Sequence, residues 1–512
     1  MKSILKLTTG VFAAALLSIG FVSCSEDTMD DINKDLNHAT DAPAKYTLAE
    51  VIVTSAWENT GSDLNTYAAV YVEHEAGVDN QMNHAEMRNG EPSNASTYNN
   101  SWGELYRTLR NLNVILSDEE KSSDPLIKGV AEVLTAYNLA ILTDLFGDVP
   151  FSESFNPDEI KQPKLDSQQE LYTKIFGYLD AGIADLKTSS GNTLSNYDFI
   201  YSGSAAKWVK FANALKARYT MRQLKRNGDA ALTSVLQYID QAFESEDDQA
   251  TFNVYDANQL NPHFDFEWSR DGLGASKSAF DKLAERNDPR IKRLYWDGSS
   301  WEHLYADDLS LFVNGVSDPG VYKYSYTAFM FAQTADTYMM SYREQLFLKA
   351  EALVRLGRVA EAEPVLKEAI ELSFANLEAS VYAACTAPSV GAYGGIEDII
   401  GNGEDLTDAD ADAYFDAEVK PRLAANPLKE TLIQKYLSMW GANGESLETF
   451  NDVRRLISLG EEGLLELANT KRFPLRYTYG SSDTTTNPNV NSAYGDGQYV
   501  YTEPVWWAGG SR

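Results

Sequence analysis

The chain has 512 residues, of which 44% are hydrophobic and 23% charged, and this length allows one large folded domain or two to three smaller ones. Its formal net charge of −32 argues against binding to nucleic acid or to anionic lipid headgroups, because those contacts require clustered Lys and Arg. Only two cysteines occur, Cys24 and Cys385, so a framework of several disulfide bonds is excluded.

Residues 1–23 have the organisation of a signal peptide. Lys2 and Lys6 provide a basic start, and the apolar stretch 11–22 follows. This stretch is too short for a transmembrane helix but has the length of a signal-peptide core. We therefore predict that the chain is exported. No other run of about 18 apolar residues is present, so we expect no membrane-spanning helix in the rest of the chain.

Cys24 is the predicted site of lipidation. The pair Ser23-Cys24 resembles a lipobox, in which the cysteine is acylated after cleavage, although Phe21 and Val22 replace the usual Leu and small residue. Two or three acyl chains would anchor the protein firmly to a bilayer. Residues 24–45 are predicted to form a polar tether, whose acidic start resembles the surface-export signal of Bacteroidetes lipoproteins. An ordinary secretion signal with a nearby cysteine is the alternative.

From Thr47 onward, the spacing of apolar residues follows the helical period. Thr47 and Glu50 resemble a capping box that opens a helix toward Tyr71. Pro125 opens another helix, which ends near Leu145 because glycine and proline follow. Further helices are predicted over residues 102–116, 167–186, 204–227, 232–243, 338–356, 360–373 and 428–440.

One predicted helix pair resembles a tetratricopeptide unit. Ala350 lies on the first helix, and Ala362, Leu366 and Ala369 lie on the second. Small residues at these intervals allow two antiparallel helices to approach closely, and Gly357 between them allows a tight turn. Because several helix pairs are predicted along the chain, we expect an α-solenoid scaffold.

Four segments have little helical periodicity. Residues 77–100 are polar and loop-like, and residues 251–331 are rich in aromatic side chains. Residues 391–412 form a glycine-rich, acidic insertion, and the last forty residues, 473–512, are predicted to be ordered loop with short strands.

Motifs that would indicate catalysis are missing from the sequence. His74-Glu75 begins like a zinc-protease motif, but Val78 occupies the place of the second histidine. For His74 and His84 we expect polar surface roles rather than metal binding. The chain has no Gly-x-Ser-x-Gly elbow, phosphate-binding loop or dinucleotide-binding motif. These observations favour a binding protein over an enzyme, without a cofactor or a catalytic metal.

The acidic run 408–412 resembles the start of a calcium-binding loop. Ala413 replaces the glycine that such a loop needs, and Val419 replaces its bidentate glutamate. We instead predict a helix that begins at Thr407-Asp408, because aspartate near a helix N-terminus interacts favourably with the helix dipole.

Several segments together resemble the SusD/RagB family of outer-membrane nutrient-binding lipoproteins. The most distinctive is Leu-Thr-Asp-Leu-Phe-Gly-Asp-Val-Pro-Phe-Ser-Glu at residues 142–153. The family usually has proline at the position of Leu36 in the segment after the lipobox. The matching segments occur in family order at residues 30–37, 142–153, 208–218, 288–290, 347–352, 434–436, 452–455, 472–477 and 487–490.

The resemblance implies a mainly α fold, with tetratricopeptide-like helix pairs as the scaffold, long irregular loops and a few short strands. Residues 46–512 would form one SusD-like ligand-binding domain, whose loop-rich part is about 251–331. It also implies a partner, a SusC-type TonB-dependent transporter, over which such a lipoprotein sits as a lid at the cell surface.

The function implied by the resemblance is capture of glycans or oligosaccharides for import. Capture of peptides or protein fragments by the same kind of uptake system is the first alternative. A surface glycosidase is a second alternative, which would need two carboxylates facing each other in a cleft. A purely structural surface lipoprotein is the third.

Aromatic and polar side chains outside the predicted helices are the candidate ligand contacts. Aromatic rings can stack on the C–H faces of sugars, while amide and guanidinium groups bond to hydroxyls. Alternatively, each of these side chains packs its loop onto the helical scaffold. Trp102, Trp208 and Trp440 are predicted to lie in the core, and Cys385 is predicted to be a buried thiol. The candidates are Asn83, His84, Arg88, Tyr98, Trp296, Trp301, Tyr305 and Tyr326.

Overall fold

The computed structural model describes residues 42–88, 96–256, 258–296, 308–386 and 405–512. Residues 44–512 form a single compact unit in which helices predominate. Up to residue 240, the helices are α1 (Ala44–Ala56), α2 (Asp63–Tyr71), α3 (Asn80–Met87), α4 (Asn99–Ser117), α5 (Pro125–Phe146), α6 (Gln168–Thr188), α7 (Ala205–Arg222), α8 (Leu224–Asn227) and α9 (Asp229–Ile239).

The helices continue through the second half of the chain. They are α10 (Pro262–Arg270), α11 (Lys277–Glu285), α12 (Ile291–Leu294), α13 (Tyr342–Arg355), α14 (Val359–Cys385), α15 (Asp408–Tyr414), α16 (Lys420–Ala425), α17 (Pro427–Ser438), α18 (Ser446–Leu459), α19 (Ser481–Thr486) and α20 (Pro488–Tyr494). Two π-helical turns, Trp57–Gly61 and Phe415–Val419, follow α1 and α15.

The strands are short and pair in twos, all antiparallel. They are β1 (Glu75–Gly77), β2 (Val149–Pro150), β3 (Leu165–Asp166), β4 (Ala250–Phe252), β5 (Leu273–Ala275), β6 (Tyr295–Trp296), β7 (Tyr326–Thr327) and β8 (Thr337–Met340). The pairs are β1 with β5, β2 with β3, β4 with β8, and β6 with β7. Each pair joins segments that are distant in sequence or closes a loop against the helices. The mainly α fold with a few short strands is therefore confirmed.

Local sequence signals account for several helix starts. Asp124 accepts a hydrogen bond from the Leu126 amide at 2.8 Å, directly before Pro125 opens α5. Ser167 and Glu170 form a capping box at the start of α6. Thr407 and Asp410 form another at the start of α15, which confirms the helix predicted there in place of a calcium loop.

The tetratricopeptide-like pair is present as predicted. Helices α13 and α14 pack together, and Ala350, Ala362 and Ala369 are fully buried. Gly357 lies between the two helices with φ of 75°, a left-handed conformation that glycine adopts without steric strain. Helix α14 continues to Cys385, twelve residues beyond the predicted end, and its last residue is the buried free thiol that the sequence predicts.

Helices α5 and α6 cross at a pair of glycines. A methyl group built on Gly182 would lie 2.9 Å from Val133 Cγ2 and 3.0 Å from the Gly129 carbonyl oxygen. A methyl group on Gly129 would likewise meet the Gly182 carbonyl oxygen at 3.0 Å. The two backbones therefore approach so closely that side chains are excluded at the crossing.

We expect Gly182→Val to destabilise the protein by about 2 kcal/mol, because the added side chain overpacks the crossing and forces the two helices apart. Gly177→Val is the matched control, since Gly177 lies on the same helix with open space around its Cβ position. Valine there should be neutral or slightly stabilising because of its better helix propensity. Urea unfolding of both variants measures the difference, and equal midpoints would contradict the close approach.

Helix α5 is apolar enough and long enough, by composition alone, to cross a membrane. A match by length and composition alone is weak evidence for a membrane span, so the expectation of no membrane-spanning helix after the signal peptide stays a prediction. Inside the structure, 94% of its most apolar window is buried against neighbouring helices. Burial on all sides explains its composition, because a fully enclosed helix has no polar face.

Three segments differ from the sequence prediction. Helix α3 lies inside the stretch 77–100 that was predicted to be loop. Helices α10 and α11 lie inside 251–331, where nine-residue helices are too short to display a clear period. In 473–512 the structure has the short helices α19 and α20, and none of the described strands. A fourth difference is helix α18, which was not predicted although it contains the matching segment 452–455.

Candidate functional site

A surface cleft of about 530 Å³ lies where the end of α1 meets α4 and the segment that precedes α10. We call it the Trp57 cleft. Its walls combine one indole ring and two aliphatic side chains with carboxylates, amides and a guanidinium group. The lining residues are Val53, Thr54, Trp57, Glu58, Asn100, Glu104, Arg107, Asn258, Gln259, Leu260 and Asp265.

The π-helical turn after α1 positions Trp57 and Glu58. Its inner residues are held by buried hydrogen bonds: the Thr60 hydroxyl donates to the Ser55 carbonyl oxygen at 2.7 Å, and the Asn59 amide donates to Asn138 at 2.9 Å. Single π-helical turns within helices are frequently found at functional sites. Here the turn leaves Trp57 and Glu58 on the outer side, where both are partly exposed to the cleft.

A hydrogen bond fixes the edge of the Trp57 ring. The indole Nε1 donates to the Leu260 carbonyl oxygen at 2.9 Å, across 203 residues of sequence. The ring is thus anchored at its polar end while it still lines the cavity. A fixed aromatic ring loses little conformational entropy when a ligand packs on it.

Helix α4 presents Asn100, Glu104 and Arg107 on one face, because they are separated by four and three residues. Arg107 Nε donates to Glu104 at 2.7 Å, and Arg107 Nη1 lies 3.1 Å from Glu50. These pairs orient the guanidinium group at the rim, where Arg107 and Asn100 are exposed. They can donate hydrogen bonds to a ligand without first losing buried partners.

The third wall is a loop held by its own side chains. The Asp256 carboxylate accepts hydrogen bonds from the amides of Asn258 at 2.7 Å and Gln259 at 3.1 Å. Asn261 then caps α10 by accepting from the His263 amide, and its own amide donates to the carbonyl oxygens of Ala335 and Ala442. The loop is therefore joined to the core just beyond the residues that line the cleft.

The electrostatics of the cleft centre on Glu58. Burial raises the pKa of Glu58 to about 7, and the negative charges of Asp63 and Glu104 add to the shift, while Arg107 opposes it. Near neutral pH this carboxyl group is therefore both a hydrogen-bond donor and an acceptor. Glu104 and Asp265 supply two further carboxylates to the same cavity. The arrangement suits an uncharged ligand that carries many hydroxyl groups.

We expect Glu58→Gln to stabilise the protein above pH 7 and to have no such effect below pH 4.5. The folded protein holds the Glu58 proton more tightly than the unfolded chain, so the contribution of this group falls as the pH rises from 4.5 to about 7. Melting temperatures should therefore differ by about 1–2 °C at pH 8. Glu119→Gln, at an exposed position, is the control; a pH-independent difference for Glu58→Gln would contradict the assignment.

The comparisons with known proteins agree with this architecture. Residues 36–479 match the SusD-like family described as "Starch-binding associating with outer membrane". The chain belongs to the SusD-like family. Members of this family are binding proteins, and the match supports a nutrient-binding role at the outer membrane for this chain. No curated protein matches the chain.

Several solved structures have a similar fold. A SusD/RagB family protein from Bacteroides thetaiotaomicron is 45% identical, with a TM-score of 0.85 over 92% of this chain and 100% of the other. A chitin-binding protein is 23% identical, with a TM-score of 0.68 over 91% of this chain and 100% of the other. A SusD homologue from Bacteroides fragilis is 17% identical, with a TM-score of 0.67 over 91% and 99% of the two chains.

Among the residues that the structure describes, none of the predicted ligand contacts in this SusD-like chain lines the Trp57 cleft. Trp296 and Tyr326 are brought together as register partners of β6 and β7, but Trp296 is 0% exposed and Tyr326 is 4% exposed. Trp296 stacks on Phe331 with ring centroids 6.0 Å apart. Both side chains therefore pack the loop onto the scaffold, which was the alternative interpretation. Trp301, Tyr305 and Cys24 lie outside the described residues.

Arg88 and Tyr98 both contact Tyr71, and neither lines the Trp57 cleft. Arg88 Nη2 donates to the Tyr71 carbonyl oxygen at 2.7 Å, and the Tyr98 and Tyr71 hydroxyls lie 2.8 Å apart. Both predicted residues are buried. Asn83 donates to the Gly77 carbonyl oxygen at 3.1 Å, and His84 is exposed on α3. A ligand contact at these two residues stays a prediction.

The polar surface role expected for His74 is wrong. The ring is fully buried, between the Ser446 hydroxyl at 2.8 Å and the Tyr436 carbonyl oxygen at 2.9 Å. Burial lowers the pKa of His74 to about 3, so the imidazole is neutral. Among the described residues, no group of three or more His, Cys, Asp or Glu side chains could hold a metal ion. Trp102, Trp208 and Trp440 lie in the core, as predicted.

Sequence reasoning missed Trp57 because it lies within a predicted helix. Residues 47 to 71 have a helical apolar period, which favours a core role for an indole inside that stretch. The available signal was Gly61, preceded by the polar run Glu58-Asn59-Thr60, which interrupts the apolar pattern. Asn258 and Gln259 do fall in the loop-rich part 251–331 that was predicted to carry ligand contacts.

Proposed function

We propose that the protein is a cell-surface lipoprotein, anchored to the outer membrane through acylated Cys24, that captures oligosaccharides in the Trp57 cleft. It then delivers them to a SusC-type TonB-dependent transporter. The observation that carries the ligand class is the composition of the cleft: one anchored indole ring surrounded by carboxylate, amide and guanidinium groups.

Each part of the cleft matches a part of a sugar. The C–H face of a pyranose ring packs on the indole face of Trp57, and removal of that apolar surface from water favours binding. Hydroxyl groups exchange hydrogen bonds with Glu58, Asn100 and Asn258, which together provide donors and acceptors. The negative charge of the whole chain is compatible with a neutral sugar and unfavourable for acidic polysaccharides.

The signal sequence supports the proposed lipid anchor, and membership of the family supports the proposed transporter partner. A lipid anchor keeps a lid at high effective concentration over its barrel, so that a weak lid–barrel contact is sufficient. The chitin-binding relative supports a glycan as ligand over a peptide. The second candidate, peptide capture, would be favoured by a larger cavity with fewer aromatic groups than the Trp57 cleft has.

Calorimetric titration of the chain from residue 25 to 512 tests the proposal. Panels of neutral oligosaccharides, uronic-acid oligosaccharides and peptides are titrated under identical conditions. We expect saturable heat with one or more neutral oligosaccharides. Saturable heat of binding with peptides alone would overturn the assignment of oligosaccharides as the ligand class. Release of reducing ends during incubation with a polysaccharide would show that the protein hydrolyses glycosides, and a glycosidase function would then replace the proposed binding function.

A further inference from the structure

A second cavity, of about 440 Å³, lies away from the Trp57 cleft. Helix α18 forms one wall, the chain from 462 to 475 forms most of the remainder, and Arg88 and Tyr501 close it. We call it the Arg88 cavity. None of its lining residues lines the Trp57 cleft.

Most of the inner surface of the Arg88 cavity is apolar. Val453 and Ile457 project from successive turns of α18, and Leu467 and Phe473 face them from the following chain. Ile457, Leu467 and Phe473 are only partly buried, so their apolar surface remains accessible from the cavity. Partly exposed apolar side chains that line one concave surface are typical of a binding site.

The charged residues of the cavity are mainly cationic, which is unusual in a chain with a net charge of −32. Lys471 and Arg472 stand beside Phe473 at the cavity wall. Within the described part of the chain, neither forms an ion pair with a carboxylate, and the Lys471 amine contacts Met87 Sδ at 3.3 Å. Of the two acidic lining residues, Glu466 is already paired with Lys429 at 2.7 Å.

Arg88 adds a buried guanidinium group with an unused donor. Its side chain is only 8% exposed and lies over the Phe473 ring at 5.1 Å. Nη1 donates to the Lys471 carbonyl oxygen and Nη2 to the Tyr71 carbonyl oxygen, and Nη2 also lies 3.7 Å from the buried Glu73 carboxylate, whereas Nε has no hydrogen-bond partner among the described residues. The contacts of Nη1, Nη2 and the Phe473 ring therefore fix Arg88 at the wall of the cavity, beside the other two cations that line it.

We propose that the Arg88 cavity binds a small amphipathic carboxylate, with its apolar part against Ile457, Leu467 and Phe473 and its carboxylate near Lys471 and Arg472. Apolar burial supplies the attraction for the tail, and the cations select the anionic end over neutral analogues of the same shape. Two sources offer this chemistry, a medium-chain fatty acid and the free C-terminus of a peptide that ends in an apolar residue.

Calorimetric titration of the soluble full domain, residues 25–512, tests the site. The probes are octanoate, its neutral analogue octanamide, and acetyl-Gly-Gly-Leu with either a free or an amidated C-terminus. We expect saturable binding of at least one carboxylate, and at least tenfold weaker binding of its neutral counterpart. The tighter of octanoate and the free peptide identifies the source. No saturable heat with either carboxylate, or equal affinity for the neutral analogues, would overturn the proposal.

Variants that remove either a positive or a negative charge from the cavity test where the carboxylate binds. Arg472→Gln removes a positive charge from the rim and should weaken carboxylate binding several-fold, while Glu462→Gln removes the unpaired negative charge and should strengthen it. Lys128→Gln removes one positive charge at the start of α5, where Lys128 pairs with Asp185 outside the cavity, and should leave the affinity unchanged. Leu467→Glu should abolish binding while the melting curve shows a folded protein. Unchanged affinity in Arg472→Gln and Leu467→Glu would place the carboxylate elsewhere and overturn the assignment.

Discussion

Replacement of Arg455 by alanine is expected to destabilise the protein by about 3–5 kcal/mol, because it removes one partner of a buried ion pair. Arg455 Nη1 and Nη2 lie 2.6 and 2.8 Å from the two carboxylate oxygens of Glu351, and Nη2 also lies 2.8 Å from Asp452. Glu351 is 0% exposed. The pair joins α18 to the tetratricopeptide-like hairpin of α13 and α14.

The ionised state of Glu351 explains the size of the destabilisation that we expect from Arg455→Ala. Burial alone would raise its pKa, but the charges of Arg455 and Arg355 outweigh burial and lower the pKa below the ordinary range. Its contribution to stability is therefore present above the unfolded-state pKa of 4.5 and is lost as the pH falls further. The destabilisation caused by Arg455→Ala should accordingly be smaller at acid pH than at pH 7.

Two further variants test whether the loss of stability results from the burial of the ion pair. Arg358→Ala removes an arginine from an exposed pair with Glu361 on the same hairpin and should not change the unfolding midpoint measurably. The double variant Arg455→Met, Glu351→Met removes both charges and should recover most of the lost stability. Urea unfolding of all four proteins gives the values. A double variant as unstable as Arg455→Ala would show that packing, rather than the unpaired charge, is lost.

Replacement of Trp57 by alanine is expected to weaken oligosaccharide binding by at least about 30-fold. Of the described residues that line the cleft, Trp57 alone is aromatic, and its Nε1 bond to the Leu260 carbonyl oxygen also holds the neighbouring loop. The variant loses the stacking surface and loosens the loop wall that carries Asn258 and Gln259. Calorimetry with the oligosaccharide that binds the unmodified chain measures the change.

Two further variants test whether the loss of affinity in Trp57→Ala results from the loss of ring stacking or from a general effect on the fold. Trp57→Phe keeps a ring but lacks the Nε1 donor, so it should retain part of the affinity. Tyr382→Ala removes an aromatic side chain that is 60% exposed on α14 and does not line the cleft, and it should bind like the unmodified protein. Full affinity in a folded Trp57→Ala protein would exclude the Trp57 cleft as the binding site.

Local patterns in the sequence predicted most of the helical scaffold. Pro125 after Asp124, the Ser167–Glu170 capping box and Gly357 between two apolar helices are signals that act within a few residues. They were sufficient because helix starts and turns depend mainly on neighbouring backbone groups. The start of α1 shows the limit: the helix begins at Ala44, so Thr47 is an interior residue and not a cap.

Burial could not be predicted in the irregular segments. Trp296 and Tyr326 were expected to be ligand platforms because they lie outside regular helices, yet a two-residue strand pair places both in the core. His74 was expected at the surface, but contacts with Ser446 and Tyr436, more than 360 residues away, enclose it. Residue type and local period carry no information about such distant neighbours.

The sequence by itself determined the helical class, the tetratricopeptide-like pair, the core tryptophans and the family, because these depend on periodicity, on local caps and on the order of matching segments. Only the tertiary structure decided where the two cavities lie. The Trp57 cleft needs residues near 57, 104 and 260 to meet, and the Arg88 cavity needs Arg88 beside a chain almost 400 residues later. These contacts between distant segments result from the packing of the whole helical core, which minimises exposed apolar surface over the entire chain.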